Sequence, residues 1–97
     1  MFVTISTYLA KSGEEDALIA LYEDWQHTLR TRVKGYLSGE LLRKADVPRE
    51  FISIMRFESQ ESVLSFRNDT EQDIWYRSVV TLIESIPVLS EYTSEWH

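Results

Sequence analysis

Three stretches of this 97-residue chain alternate their side chains at the period of a β-strand, yet each carries apolar residues on both of its faces. Phe51, Met55 and Phe57 point one way and Ile52 and Ile54 the other. Val3, Ile5 and Leu9 oppose Phe2 and Tyr8, and Val88, Tyr92 and Trp96 oppose Leu89. A sheet shielded on one side only alternates apolar with polar residues. Helices of a chain this short can cover one sheet face, so the other needs apolar company. A second copy of the same face is the least demanding cover. At roughly 25 cal/mol per Å2, leaving those side chains wet would forfeit several kcal/mol. A homodimer is the expectation.

The local signals place these strands among helices. Phe2 to Leu9 is rich in β-branched and aromatic residues and reads as a strand. Lys11-Ser12-Gly13 forms a turn, and Glu14, Glu15 and Asp16 open a helix, where acids meet the positive end of the dipole. Leu18, Leu21, Tyr22, Trp25 and Leu29 share one face of that helix, which is expected to run to about Thr31. Its C-terminal end would carry Arg30, Arg32 and Lys34. Gly35 ends the helical stretch and opens a strand to about Lys44, residues 45–49 make a hairpin connection, and Phe51 to Glu58 is the third strand.

Ser59 is the expected N-cap of a short helix that carries Val63 and Phe66 to about Asn68. Asp69 or Thr70 caps another, in which Trp75, Tyr76, Val79, Leu82, Ile83 and Ile86 share an apolar face until Pro87 stops it. Val88 to Trp96 is the last strand. The order β-α-β-β-α-β, with its second helix broken in two, predicts an α+β, ferredoxin-like antiparallel sheet with helices on one face. Residues 1–97 make one domain, too short for two independent cores.

Composition narrows the chemistry. A net charge of −6 without a basic cluster disfavours nucleic acid and anionic membrane surfaces as partners. The absence of cysteine removes thiol nucleophiles, disulfides and thiolate metal sites. No segment approaches membrane-spanning length and the N-terminus lacks a secretory pattern, so the expected location is cytoplasmic. His27 falls opposite the apolar stripe of its helix and should be solvated, and His97 is the last residue, expected to fray. No His-x-His or His-Glu-x-x-His spacing suggests a metal. Gly35 and Gly39 make no phosphate-binding loop, and no nucleotide motif occurs. Asp73 and Arg77 are four apart on a polar helix face, while Glu91 and Glu95 have no obvious partner.

What remains is a group beside the helix break: Phe66, Asn68, Trp75 and Tyr76. One reading makes Phe66 and Trp75 core residues beneath the helices. The other has the break open a cleft against the sheet, where flat side chains hold a flat ligand and Asn68 or Tyr76 supplies a hydrogen bond.

Four runs carry a family likeness: Lys11-Ser12-Gly13-Glu14 after the first strand, Val33-Lys34-Gly35-Tyr36 before the second, Pro48 to Ile54, and Arg56-Phe57-Glu58-Ser59-Gln60-Glu61-Ser62. Along essentially its whole length the chain resembles the antibiotic biosynthesis monooxygenase (ABM) family of dimeric α+β barrels. Phe57 stands where that family usually has the Trp of a Trp-Glu-Ser run. The resemblance implies a homodimer with a cleft between helices and sheet. It also implies oxidation of a small aromatic, quinol- or anthrone-like substrate by O2, with no metal, flavin or other cofactor. A haem-degrading branch of the family uses an Asn, a Trp and a His, whose positions fall at Ser6, Phe66 and near Tyr76 here. All three depart, although a tyrosine can ligate haem iron.

The expected function is thus a cofactor-independent monooxygenase with Asn68 and Tyr76 as polar contacts to the substrate. Ser6, Phe66 and Trp75 would line the pocket, and Arg56 would stabilise an anion. A non-catalytic dimeric ligand-binding or sensor protein is the alternative, and haem binding a more distant one.

Overall fold

The first strand decides the architecture, because its two faces are chemically different. Phe2, Thr4, Ser6 and Tyr8 lie on one side of β1 (Phe2–Leu9), and Val3, Ile5, Thr7 and Leu9 on the other. In the computed structural model, which describes residues 1–96, the helices cover the first set. The chain continues through α1 (Glu15–Thr28), a 3-10 turn (Arg30–Arg32), β2 (Tyr36–Arg43), β3 (Glu50–Phe57), α2 (Gln60–Asn68), α3 (Thr70–Val80) and β4 (Val88–Thr93). The strands form one antiparallel sheet in the order β2-β3-β1-β4. This is the expected ferredoxin-like α+β arrangement, broken second helix included.

Register fixes which residues share a face. Ser6 pairs with Ser53 and Leu89, so all three look toward the helices. Ile5 pairs with Ile54 and Ser90, and Thr7 with Ile52 and Val88, on the opposite surface. The inner surface meets Leu18 and Trp25 of α1, Val63 of α2, and Trp75 and Val79 of α3 in one buried core. Trp25, 1% exposed, is its hub, with ring centroids 5.1 Å from Tyr36, 5.9 Å from Trp75 and 6.1 Å from Phe66.

Polar ends and turns explain the breaks. Ser59 caps α2 by accepting from the Ser62 amide at 3.4 Å. Asp69 caps α3 by accepting from the Glu71 and Gln72 amides at 2.9 and 3.3 Å, satisfying donors that no helical carbonyl can reach. Gly35 has φ +85, and its carbonyl receives the Glu58 amide at 2.8 Å, so the turn into β2 closes directly onto the end of β3.

Three boundaries differ from the sequence reading. The first helix ends at Thr28, whose hydroxyl donates to the Asp24 carbonyl at 2.7 Å, and the chain tightens into the 3-10 turn. Arg30 and Arg32 therefore do not cap an α-helix. Arg30 lies 5.4 Å over the Tyr36 ring and Arg32 pairs with Asp69 at 3.1 Å. The third helix stops at Val80, before Leu82 and Ile83, because the following backbone pairs with the end of β1. The Lys11 amide donates to the Leu82 carbonyl and the Glu84 amide to the Leu9 carbonyl, each at 2.8 Å. Ile83 is buried by that pairing, whereas Ile86, expected on the helix face, is 87% exposed. The last strand ends at Thr93, leaving Trp96 beyond it and exposed.

His27 is exposed, as its position opposite the apolar stripe predicts. The expectation for His97 falls outside the described residues. No helix among the described residues is long and apolar enough to cross a membrane.

Candidate functional site

Between the inner face of β1, β3 and β4 and the underside of α2 and α3 lies a cavity of about 240 Å3. The strands supply its floor as hydroxyls: Thr4, Ser6 and Tyr8 from β1, and Ser53 from β3. Its walls are Met55, Val63, Phe66, Trp75 and Tyr76. Helix spacing produces this wall. Val63 and Phe66 are one turn apart on α2, and the break at Asp69 turns the chain so that Trp75 and Tyr76 of α3 face the same space.

Ser6, Phe66, Trp75 and Tyr76 are thus brought together as expected. Trp75 is core and wall at once: it is 6% exposed, and its indole N–H donates to the Leu21 carbonyl at 2.9 Å, which locks the ring. The other two expected residues stand elsewhere. Asn68 is the exposed last residue of α2 and is not part of the lining. Arg56 pairs with Val3 in the register and so lies on the opposite surface of the sheet, 3.7 Å from Glu40. Strand alternation puts it with Ile52 and Ile54, away from any group in the cleft.

The sequence reading missed a pair of hydrogen-bonded tyrosines at the site. Tyr8, 5% exposed, sits in the floor, and Tyr22 of α1 donates its hydroxyl proton to the Tyr8 oxygen at 2.6 Å. Burial raises the pKa of Tyr8, an effect partly offset by the neighbouring Tyr22 and Ser6 hydroxyls. Burial, reinforced by the neighbouring Tyr8, pushes Tyr22 well above the ordinary tyrosine range, and burial also raises Tyr76. All three phenols are neutral donors near pH 7. The available signal was the run of hydroxyls at positions 4, 6 and 8 of a strand whose other face carries Val3, Ile5 and Leu9 beside a single hydroxyl, Thr7. Polar groups on the face that helices must cover need partners, and they mark a site when those partners leave a space.

Charges stay at the rim. Arg67 of α2 pairs with Glu91 of β4, giving that carboxylate the partner the sequence did not reveal. Asp73 pairs with Arg77 at 2.8 Å. Among the described residues no buried side-chain nitrogen or oxygen lacks a hydrogen-bond partner, and no cluster of His, Asp and Glu could hold a metal ion. The arrangement suits a neutral, flat molecule with one or two hydroxyls. A larger, more open groove of about 470 Å3 lies between α1 and the β2–β3 edge. It shares Tyr22, Ser53 and Met55 with the cavity, and Ile19, Leu41 and Ile54 line it together with the charged Glu23, Glu40 and Arg43.

Solved structures with this fold are numerous. One from Nitrosomonas europaea, described as a candidate antibiotic biosynthesis monooxygenase, superposes with a TM-score of 0.85 at 18% identity, over 99% of this chain and 100% of the other. One from Bordetella bronchiseptica, described in the same terms, gives 0.86 at 18% identity over 98% and 97%. SnoaB from Streptomyces nogalater, described as a cofactor-independent oxygenase, gives 0.87 at 10% identity over 99% and 94%. At such identities these likenesses establish the fold alone. No curated protein matches the sequence. The sequence profile of the antibiotic biosynthesis monooxygenases does match, over residues 1–76, and so takes in β1 through Tyr76 and most of the cavity wall. The chain belongs to the antibiotic biosynthesis monooxygenase family.

Proposed function

We propose that this protein is a homodimeric, cofactor-independent monooxygenase acting on a small hydroxylated aromatic compound, held in the cleft between sheet and broken helix. The observation that carries the reading is the composition of that cleft: aromatic walls from Phe66, Trp75 and Tyr76 over a floor of hydroxyls. At about 240 Å3 it suits one or two fused rings, since a cavity of roughly 150 Å3 already accepts benzene. A tetrapyrrole is far larger, which sets haem aside.

The proposed chemistry needs little from the protein beyond placement. A methylene or C–H position activated by a neighbouring ionised hydroxyl gives electrons to O2. One oxygen atom enters the product as a carbonyl and the other leaves as water, so the substrate is its own reductant. Phe66, Trp75 and Tyr76 would fix the ring plane and exclude water, and the hydroxyl floor would orient the acidic oxygen. Family membership and the likeness to SnoaB, itself described as a cofactor-independent oxygenase, support this reaction class. The aliphatic outer sheet face, with Ile5, Leu42, Ile52, Ile54 and Val88 side by side, supports the dimer.

The test is a panel of quinols and anthrone-like phenols followed by oxygen consumption with chelator-treated protein. Uptake that survives chelation and scales with protein supports the enzyme. Saturable binding of the same compounds without uptake overturns it in favour of a ligand-binding or sensor protein.

A further inference from the structure

We propose that Met55 sets the length of ligand this protein accepts, by standing as a partition between the cavity under α2 and α3 and the groove beside α1. The two hollows are halves of one trough over the sheet. This rests on the cavity being a ligand site, and adds what limits the size of its occupant.

Strand register makes the floor of the two hollows continuous. On the inner face, Leu41 of β2, Ser53 of β3, Ser6 of β1 and Leu89 of β4 are successive partners in one row. Gly39, Met55 and Thr4 are partners in the row beside it. Gly39 and Leu41 line only the groove, Thr4, Ser6 and Leu89 only the cavity, and Ser53 and Met55 both. Neighbouring strands lie about 4.8 Å apart, so Gly39 and Thr4 are separated by roughly 10 Å with Met55 between them. Gly39, Ser53, Ser6 and Thr4 are small, which leaves Met55 as the long side chain of this central floor.

Tyr22 of α1 is the third residue common to both hollows, and it is held in place. Its hydroxyl donates to Tyr8 at 2.6 Å, and its ring meets Trp75 edge-on with centroids 5.0 Å apart. Ser53 is too short to divide the space. Met55, 8% exposed, has no comparable tether: its thioether is a weak acceptor, and its unbranched chain turns about three bonds. The length of the cavity is therefore set by one side chain rather than by the fold. Shortening that side chain joins a space of about 240 Å3 to one of about 470 Å3 and leaves the aromatic wall of Phe66 and Trp75 in place.

The experiment measures binding of naphthalene-2-carboxamide and anthracene-2-carboxamide, neutral fluorescent probes one fused ring apart, to the full-length protein. The wild type is expected to hold the naphthalene probe about tenfold more tightly, the scale of discrimination that a small misfit produces in an apolar pocket. Met55→Ala should abolish or reverse that preference while still binding the naphthalene probe. Met55→Val removes less and should give an intermediate result, and it carries the same comparison if the alanine variant does not fold. Leu41→Trp fills the groove without touching the cavity lining. It should restore the preference when added to Met55→Ala, and alone it should leave both affinities unchanged. Equal binding of the two probes by the wild type, an unchanged preference in the Met55 variants, or a gain that survives Leu41→Trp overturns the proposal while leaving the cavity a ligand site. Failure of the naphthalene probe to bind the wild type overturns the cleft reading and the proposal with it.

Discussion

Gln72 and Trp25, 47 positions apart, are joined by a buried hydrogen bond in which the indole N–H donates to the amide oxygen. The amide nitrogen of Gln72 donates in turn to the Leu29 carbonyl at 3.1 Å. One side chain on α3 thus satisfies both the core hub of α1 and the carbonyl just past its C-terminal end. Because α3 also carries Trp75 and Tyr76, this bond fixes the distance between the cleft wall and the rest of the core. Replacing Gln72 by Leu leaves a buried indole N–H and a half-buried carbonyl unsatisfied and should cost about 2–3 kcal/mol. For a domain of this size that lowers the melting midpoint by roughly 10 °C or more, measurable by calorimetry.

Gly35 tests the junction of β2 and α2. Its φ of +85 disfavours any side chain, and a Cβ there would overlap the Ser62 hydroxyl. Gly35→Ala should destabilise by about 1–3 kcal/mol from the left-handed backbone and the overlap together. Adding Ser62→Ala should recover part of that loss in chemical denaturation. A double variant no more stable than the single one would mean that the backbone conformation alone sets the cost.

Asp69 links stability to pH. Partial removal from water pushes its pKa up, but hydrogen bonds from the Gln72 and Glu71 amides and the Arg32 guanidinium outweigh this and hold it below its ordinary 3.8. The folded value lies under the unfolded one, so the contribution is fully present above about pH 4 and fades as pH falls through the lowered range. Asp69→Asn should therefore lower the melting midpoint at pH 7, with the difference from wild type shrinking toward pH 2.

The outer sheet face makes the oligomer testable. Ile5, on a central strand between Ile54 and Ser90, should lie within the contact between two copies. Ile5→Lys puts a charge into that proposed contact and should yield a monomer in sedimentation at micromolar concentration, where the wild type is expected to sediment as a dimer. An unaltered circular dichroism spectrum would show the fold retained.

Tyr76 should contribute a neutral hydrogen bond from the cleft wall. Tyr76→Phe is expected to weaken binding of hydroxylated aromatics by about fivefold, or roughly 1 kcal/mol, and to leave their unhydroxylated analogues unaffected. Equilibrium dialysis of matched pairs of compounds reads the difference.

Much of this molecule was legible from local pattern. The period-two alternation of residues 2–9 and 51–57 names the strands and sorts their side chains into two sets. The caps Ser59 and Asp69 locate the broken helix, because a side-chain oxygen near an unpaired amide acts within a few residues. Phe66, Trp75 and Tyr76 fell at a cleft for the same local reason, the turn forced between two capped helices.

Alternation says which residues share a face, however, and not what covers it. Arg56 and Ser6 were equally admissible cleft residues until register and helix docking put them on opposite surfaces. The early end of α3 was decided by the backbone of residues 82–84, which found hydrogen bonds at the end of β1 rather than in another helical turn. The pairing of Tyr8 with Tyr22, and of Trp25 with Gln72, belongs to the same class. Each joins elements distant in sequence, and its geometry exists only once α1, α3 and the sheet have packed together. The chain's periodicity determined its elements and their faces, because those follow from backbone geometry alone. Only packing decided which polar groups meet, because a hydrogen bond depends on distances that no local pattern contains.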